Sequence, residues 1–414
     1  KDLSGESNNG VLTNSPTFNS NGWIEFDGTD DEVIIPDDST LDLTTDMSFE
    51  FVVKVDSTQN NLYPRLIDKS IWLIHLSQTS PFSIAQNITT SAGLRQTSIG
   101  SSLFVANKWT HIVSNYDGQY GKIYVNGELV KTSNFGSVLA CNTNNTVVTV
   151  GGNTGTTRQL NGDMALVRVY DEVLTQTEVN QNYYQSPIVT DGLVFAVDAG
   201  NLVSYESGST TAYSLTGSVD GTLSGGTSFN SGNGGYWNFD GINDSLQFAT
   251  NNVFERGTTP FTMEAWVRLI DNTGLSNFNA VMGGGNPLCD GCDGGYFIYF
   301  TGATSSTINI RFDNSGTGNL DSLSYNRGTT FEDGTFHHIV GLRDGTNTKI
   351  YLDGGLVATG TDTFPNVNDI DIFYISGWSN YKGNMDVAVS RIYNKALTPE
   401  EVTQNYNANI NRFN

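Results

Sequence analysis

The chain has 414 residues and a formal net charge of −23, with 43 acidic side chains against 20 basic ones. An acidic surface repels phosphate backbones, and no apolar run is long enough for a bilayer-spanning helix, so neither nucleic-acid binding nor membrane insertion is expected. Forty-five glycines with few charged residues suit β-rich domains with many turns, and three cysteines cannot form a disulfide framework.

In chain order, the opening "KDLSGES" has neither Met nor a signal-like apolar stretch. "FDGTDDE" then places Asp27, Asp30 and Asp31 in a glycine-containing turn. Hard oxygen ligands of this kind suit calcium, although Asp-Gly-x-Asp is also ordinary turn chemistry. "MSFEFVVKV" alternates as a strand, with Phe49, Phe51 and Val53 on one face and Glu50 expected to face solvent. "WTHIVSNY" is a further strand, with His111 expected to be a packed or hydrogen-bonded sheet residue. "KIYVNGELV" predicts a hairpin turning on Asn126-Gly127. After the strand in "MALVRVYDEVL", Thr175-Gln-Thr-Glu178 fits a capping box, which predicts a short helix presenting Leu174, Val179 and Tyr183 to a sheet.

The whole series then recurs. "FDGINDS" brings Asp240, Asn243 and Asp244; "FTMEAWVRL" brings Met263, Ala265 and Val267 on one face with Glu264 between them. "FHHIVGLR" supplies His338, "KIYLDGGLV" turns on Asp353-Gly354, and Thr398-Pro-Glu-Glu401 opens a second helix with Leu397, Val402 and Tyr406. Tyr170 and Tyr393 are 223 residues apart, His111 and His338 227, and Asp27 and Asp240 213. Such drift is what loops of unequal length in two copies of one domain produce. Two domains are therefore expected, residues 1–186 and 191–414, joined by a linker at 187–190. Each is an all-β sandwich whose short C-terminal helix plugs it after the last strand.

Two features break the repeat. "LVFAVDA", from Leu193, reads as a strand with no counterpart in the first copy, whose Lys1–Gly5 matches only the end of the second copy's opening. A sandwich lacking that strand would expose a sheet edge, so either chain upstream of Lys1 or a strand from a neighbouring subunit is expected to cover it. "SGWSNYKG" carries Trp378, Asn380 and Tyr381, whereas its counterpart "GGNTGTTRQLNG" has no aromatic residue. An exposed ring beside amides suits sugar binding, because the apolar face of a sugar stacks on the ring while side chains pair with hydroxyls. Asp290 and Asp293 of "CDGCDGGYF" could add to that site. Cys289 and Cys292 in the same stretch lack the second ligand pair that zinc needs and the βαβ context of a redox pair, which leaves a local disulfide or two free thiols.

The order of Phe26-Asp27-Gly28, Trp109 and His111, Tyr124 to Gly127, and Gly162 to Tyr170 resembles the laminin-G-like, concanavalin A-like jelly-roll family. It is echoed by Phe239-Asp240-Gly241, Met263 to Val267, His338, Tyr351 to Gly354, and Gly383 to Tyr393. The resemblance implies two jelly rolls over nearly the whole chain and makes calcium a candidate cofactor. It leaves function open among lectins, glycosidases, adhesion modules and virion proteins. "GLVFAVDAGNLVSY" and "ALTPEEVTQNYNANINRF" also resemble repeats in structural proteins of tailed phages, especially marine ones.

No strand carries the paired carboxylates of a related endoglucanase, E-x-D-x-E, and no histidine lies beside a nucleophile elbow, so catalysis is not expected. The sequence thus points to a non-enzymatic structural protein on a virion surface, assembled with other virion or surface subunits as an oligomer and recognising cell-surface glycans. A secreted extracellular lectin or adhesin and a degenerate polysaccharide hydrolase are the alternatives.

Overall fold

Asn126 and Gly127 take φ of 50° and 82°, and Asp353 and Gly354 take 49° and 79°. Positive φ at both central positions is the type I′ geometry, whose twist matches that of the strands it joins. Tyr120–Val125 accordingly pairs antiparallel with Glu128–Asn134, and Asn347–Leu352 with Gly355–Thr361. These hairpins are the outer strands of two ladders that are built alike in the two halves of the chain.

The computed structural model describes residues 1–155, 157–270, 278–285, 295–301, 306–313, 320–361, 367, 370–377 and 381–414. The chain divides into two compact units, Lys1–Tyr183 and Tyr184–Asn414. Each is a concanavalin A-like jelly-roll sandwich of two antiparallel sheets. In the first unit one sheet runs, in spatial order, Glu128–Asn134, Tyr120–Val125, Trp109–Asp117, Asp46–Val55, Asn161–Tyr170, Trp23–Asp27, Thr17–Asn19. In the second unit Gly355–Thr361, Asn347–Leu352, His337–Asp344, Phe261–Leu269, Asn384–Tyr393, Tyr236–Asp240 and Ser228–Asn230 follow the same order. The facing sheets include Trp72–Leu76 in the first unit and Gly295–Thr301 in the second.

The period-two alternation predicts the inner faces correctly. Met47, Phe49, Phe51, Val53 and Val55 enter the first core, and Phe261, Met263, Ala265, Val267 and Leu269 the second. Burying each large apolar side chain contributes about 1.5–3 kcal/mol, so these two central strands anchor their sandwiches.

Both capping boxes form. Glu178 N donates to Thr175 Oγ1 at 3.3 Å and Thr175 N to Glu178 Oε2 at 2.8 Å; Glu401 N and Thr398 N do the same at 3.3 and 2.9 Å. The helices Gln176–Tyr183 and Pro399–Phe413 close each unit after its last strand. A hydroxyl in each central strand turns the chain back over the sheet. Ser48 Oγ bridges Glu172 O and Leu174 N at 2.6 and 3.0 Å, and Thr262 Oγ1 bridges Lys395 O and Leu397 N at 2.8 and 3.0 Å. The helix then lies across the outer face of the sheet. Val179 packs on Val113 and Tyr124, and Val402 clusters with Val340 and Tyr351.

That placement corrects the expectation for Glu50 and Glu264. They do point away from the core, but the helix covers them, and their side chains are 1% and 0% exposed.

Candidate functional site

A buried carboxylate survives only with partners, and both of these have them. Glu50 Oε1 lies 2.8 Å from His111 Nε2, while its Oε2 accepts from Tyr170 Oη at 2.5 Å, Asn182 Nδ2 at 3.2 Å and Arg168 Nη1 at 3.3 Å. Burial pushes this carboxyl up, but His111, Tyr170 and Arg168 outweigh it and hold it below the usual range. Around Glu264, Arg391 donates to Oε1, Asn405 Nδ2 donates to Oε2 at 2.6 Å, and His338 Nε2 lies 3.4 Å away. Burial is again opposed, here by the charges of Arg391 and His338, and the carboxyl is held down at about 2. Such groups are ionised and enclosed, as pins between sheet and helix would be. Both are more enclosed than a carboxylate that must meet a sugar ring in a glycosidase cleft. His111 and His338 are packed sheet residues, as the sequence suggests.

The Asp-Gly loops are alike in turn chemistry and unlike in charge. Asp27 Oδ1 accepts from Thr29 N at 2.7 Å and Asp30 N at 3.4 Å, and Asp31 Oδ2 accepts from Asp27 N at 3.1 Å. Asp240 and Asp244 make the same contacts with Ile242, Asn243 and Asp240 at 2.8, 3.3 and 3.0 Å. In the first loop Asp27, Asp30 and Asp31 each bring a carboxylate oxygen within 4.8 Å of the others. Burial, with the charges of Asp27 and Asp30, pushes the Asp31 carboxyl up. A divalent cation would relieve that repulsion, so Asp27, Asp30 and Asp31 fit calcium. In the second loop Asn243 replaces one carboxylate, and Lys382 Nζ donates to the carbonyls of Asn243 and Asp244 at 3.0 and 3.3 Å. An ammonium therefore already stands beside Asp240, Asn243 and Asp244, which lowers the need of this loop for a cation.

Of the predicted aromatic loop, Trp378 and Asn380 lie outside the described residues, as do Cys289, Asp290, Cys292 and Asp293. Tyr381 is described. Its ring is half-buried and meets Phe278 edge-on at 5.2 Å, and Phe278 stacks on Tyr299 at 3.8 Å. This cluster is on the outer face of the second sheet. In Gly295–Thr301, Tyr296, Ile298 and Phe300 enter the core while Phe297 and Tyr299 point the other way. Arg311, paired across the ladder with Phe297, shares that face. It is 7% exposed, and among the described residues its Nε and Nη2 have no hydrogen-bond partner. Burial pushes the Tyr299 phenol up, against the opposing charge of Arg311. Asn309, opposite Tyr299, accepts from Ser324 Oγ at 2.6 Å.

The first unit carries a smaller counterpart, in which the Tyr63 ring meets His75 edge-on at 5.3 Å with the Arg158 guanidinium 5.5 Å from the Tyr63 ring centre. Its matching ladder positions hold His75 for Tyr299, Leu73 for Phe297, Ala85 for Asn309 and Asn87 for Arg311. Phe278, Tyr299 and Arg311 escape a reading of the sequence. The only signal is that "GYFIYF" is aromatic or apolar at both alternating sets, so its outward face must also be covered.

A family model described as the Concanavalin A-like lectin/glucanases superfamily matches residues 27–180 and 239–403. The chain belongs to this superfamily. Its two matches coincide with the two sandwiches and include both Asp loops and both His–Glu pairs. No curated protein matches the chain. Among solved structures, the receptor-binding domain of botulinum neurotoxin C/D mosaic serotype is similar at 11% identity and a TM-score of 0.42, covering 53% of this chain and 52% of its own. The chain thus spans about half the length of that domain. Domain 4 of AbnA, an extracellular arabinanase from Geobacillus stearothermophilus, solved with arabinotriose, is similar at 16% identity and a TM-score of 0.39, over 52% of this chain and 98% of its own. The CBM40 of a Ruminococcus gnavus sialidase, solved with α2,3-sialyllactose, is similar at 13% identity and a TM-score of 0.30, over 36% and 83%.

Proposed function

We propose that this is a non-enzymatic, glycan-binding surface protein, and that the second unit carries the binding site on the face holding Tyr381, Phe278, Tyr299 and Arg311. The observation that carries the proposal is the asymmetry between the copies. A stacked Phe278–Tyr299 pair beside the buried Arg311 guanidinium stands where the first unit has an edge-on Tyr63–His75 contact, with Leu73, Ala85 and Asn87 in place of Phe297, Asn309 and Arg311. Tyr381 offers a ring at the rim, Phe278 and Tyr299 hold it in place, and Arg311 supplies donors for hydroxyl or carboxylate oxygens. Trp378 and Asn380 adjoin Tyr381 in the sequence. Membership of a superfamily that includes lectins supports the same class of ligand.

As the setting, we propose a virion surface, where the protein acts as a decoration, fibre or adhesin subunit alongside other subunits. The resemblance to phage structural repeats supports this, and a secreted lectin or adhesin is the rival. A glycan array with the intact chain and with Tyr381→Ala and Trp378→Ala tests the binding. Retained folding with at least tenfold weaker capture is expected of the variants. Absence of binding by the intact chain, or binding untouched by both changes, defeats the proposal. Mass spectrometry of purified particles against culture supernatant separates virion from secreted protein.

A further inference from the structure

The last strand of each unit has two edges, and among the described residues only in the second unit are both filled along their length. Asn384–Tyr393 pairs with Phe261–Leu269 along one edge. Along the other it pairs first with Tyr236–Asp240, from Asn384 to Val387, and then with Leu193–Asp198, from Val389 to Tyr393. Asn161–Tyr170 repeats this register. It pairs with Asp46–Val55 on one side, bulging at Ala165 where the second copy bulges at Ala388, and with Trp23–Asp27 on the other from Asn161 to Met164. Beyond Met164, among the described residues, no strand pairs with the second edge of Leu166–Tyr170.

The side chains register the difference. Met385 to Tyr393 are all buried, whereas Ala165, Leu166, Val167, Val169 and Tyr170 are half-exposed and Arg168 is exposed. The Arg391 side chain is 3% exposed and its counterpart Arg168 49%. In the second unit Phe195 and Val197 enter the core, with the Phe195 ring 4.9, 5.2 and 5.7 Å from those of Phe248, Phe254 and Phe373. On the other face Ala196 stands opposite Arg391, and Asp198 accepts from Arg412 Nη1 at 2.8 Å with its charge also acting on Arg391. The first unit keeps the acceptor half of this arrangement: Val167 and Val169 inward, Arg168 outward, and a row of backbone groups with no ladder partner.

We propose that the edge Leu166–Tyr170 is a strand-acceptor site, and that its ligand is an extended peptide segment of the Leu193–Asp198 type. Such a segment runs antiparallel to the edge, with two large apolar side chains directed into the first core, a small residue over Arg168 and an acidic residue beyond it. Backbone pairing supplies the attachment and the inward pockets the selectivity, as in other strand additions. Like-with-like pairing between two copies of the chain is disfavoured, because it would bring two Arg168 side chains together.

The test uses the intact chain and a peptide of residues 192–200, GLVFAVDAG, with lysines appended for solubility. Hydrogen exchange at Leu166–Tyr170 is followed by mass spectrometry. Peptide at millimolar concentration should slow exchange at these amides at least tenfold and leave Asn384–Tyr393 unchanged. A peptide with Asp at both the Phe195 and Val197 positions should do nothing. Failure of the parent peptide to protect the edge, equal protection by the Asp-bearing peptide, or full protection before peptide is added would each overturn the proposal. So would protection that rises with protein concentration and accompanies a dimer in sedimentation, because the occupant would then be a second copy. None of these outcomes bears on the glycan site, which lies in the other unit.

Discussion

Arg391 and Glu264 form an ion pair in which both side chains are almost completely buried, while Arg168 reaches the equivalent Glu50 at 3.3 Å from a half-exposed position. The same two residues on the same two strands therefore carry different energetic weight. Removing one partner of a buried pair leaves an uncompensated charge, at a cost of about 3–5 kcal/mol, whereas a partly exposed pair contributes under about 1 kcal/mol. Arg391→Met should lower the denaturation midpoint of the second unit sharply and Arg168→Met should barely move that of the first. Urea titrations that resolve the two transitions check this. Equal effects would show that exposure of Arg168 does not weaken its pair.

The pH response should run in opposite directions at two sites of the second unit. The Glu264 carboxyl is held down at about 2, so its stabilisation is complete above the ordinary value of 4.5 and is lost as pH falls toward about 2. His337 is the converse. Its Nδ1 lies 2.9 Å from Asp353 Oδ2 and its Nε2 3.3 Å from Asp333 Oδ2, with Arg327 and Thr335 also in contact. Burial pushes the imidazole down, but Asp353 and Asp333 outweigh it and raise the net value above 6.5. Its stabilisation is therefore complete below pH 6.5 and fades as pH rises through the folded-state value. His337→Gln should flatten the alkaline limb of a stability profile and leave the acid limb intact. NMR titration of the ring gives the value directly, and a folded-state value at or below 6.5 contradicts the account.

Much of this architecture is legible in the sequence. The type I′ dipeptides, the alternating strands and the capping boxes are local signals, and each repeats, so each is read twice. Glu50 and Glu264 were hidden for a different reason. Strand alternation places them on the outer face, but only the docking of a helix more than a hundred residues away decides that the outer face is dry. Tyr299 and Arg311 were hidden likewise, since a run such as "GYFIYF" does not say which of its aromatic sets faces the core. Lys382 is out of reach altogether: its contact with the carbonyls of Asn243 and Asp244 joins residues 138 and more positions apart.

The two Asp loops should separate under calcium. Asp27, Asp30 and Asp31 crowd three carboxylates, while Lys382 occupies the corresponding loop of the second unit. Calcium at millimolar concentration should raise the melting temperature of the first unit only, and Asp30→Asn should abolish the rise. Lys382→Met would open the second loop but still leave it one carboxylate short, so little response is expected there. Calorimetry with and without a chelator decides it. No shift in the intact chain, or a shift that survives Asp30→Asn, rules out this loop as the site.

The hairpin turns and the covering helices are coupled through glycine. Gly127 and Gly354 have φ of 82° and 79°, and a Cβ at either would come within 3.0 or 3.1 Å of the Tyr183 or Tyr406 ring. Gln176 Nε2 also donates to Gly127 O at 2.6 Å, so the helix of the first unit sits directly on its turn. Gly345 lies in another turn of the same ladder with φ of 60°, and a Cβ there would meet nothing within 4 Å. Alanine at all three positions incurs the left-handed backbone cost of about 1–2 kcal/mol. Only at Gly127 and Gly354 must a tyrosine also shift, which disturbs the packing of Val179 or Val402 and loosens the cover over Glu50 or Glu264. Gly354→Ala should therefore destabilise the second unit by more than Gly345→Ala, with the excess accompanied by faster amide exchange in Pro399–Phe413. If the two variants lose equal stability and the helix exchanges no faster, the turn and the helix are energetically independent.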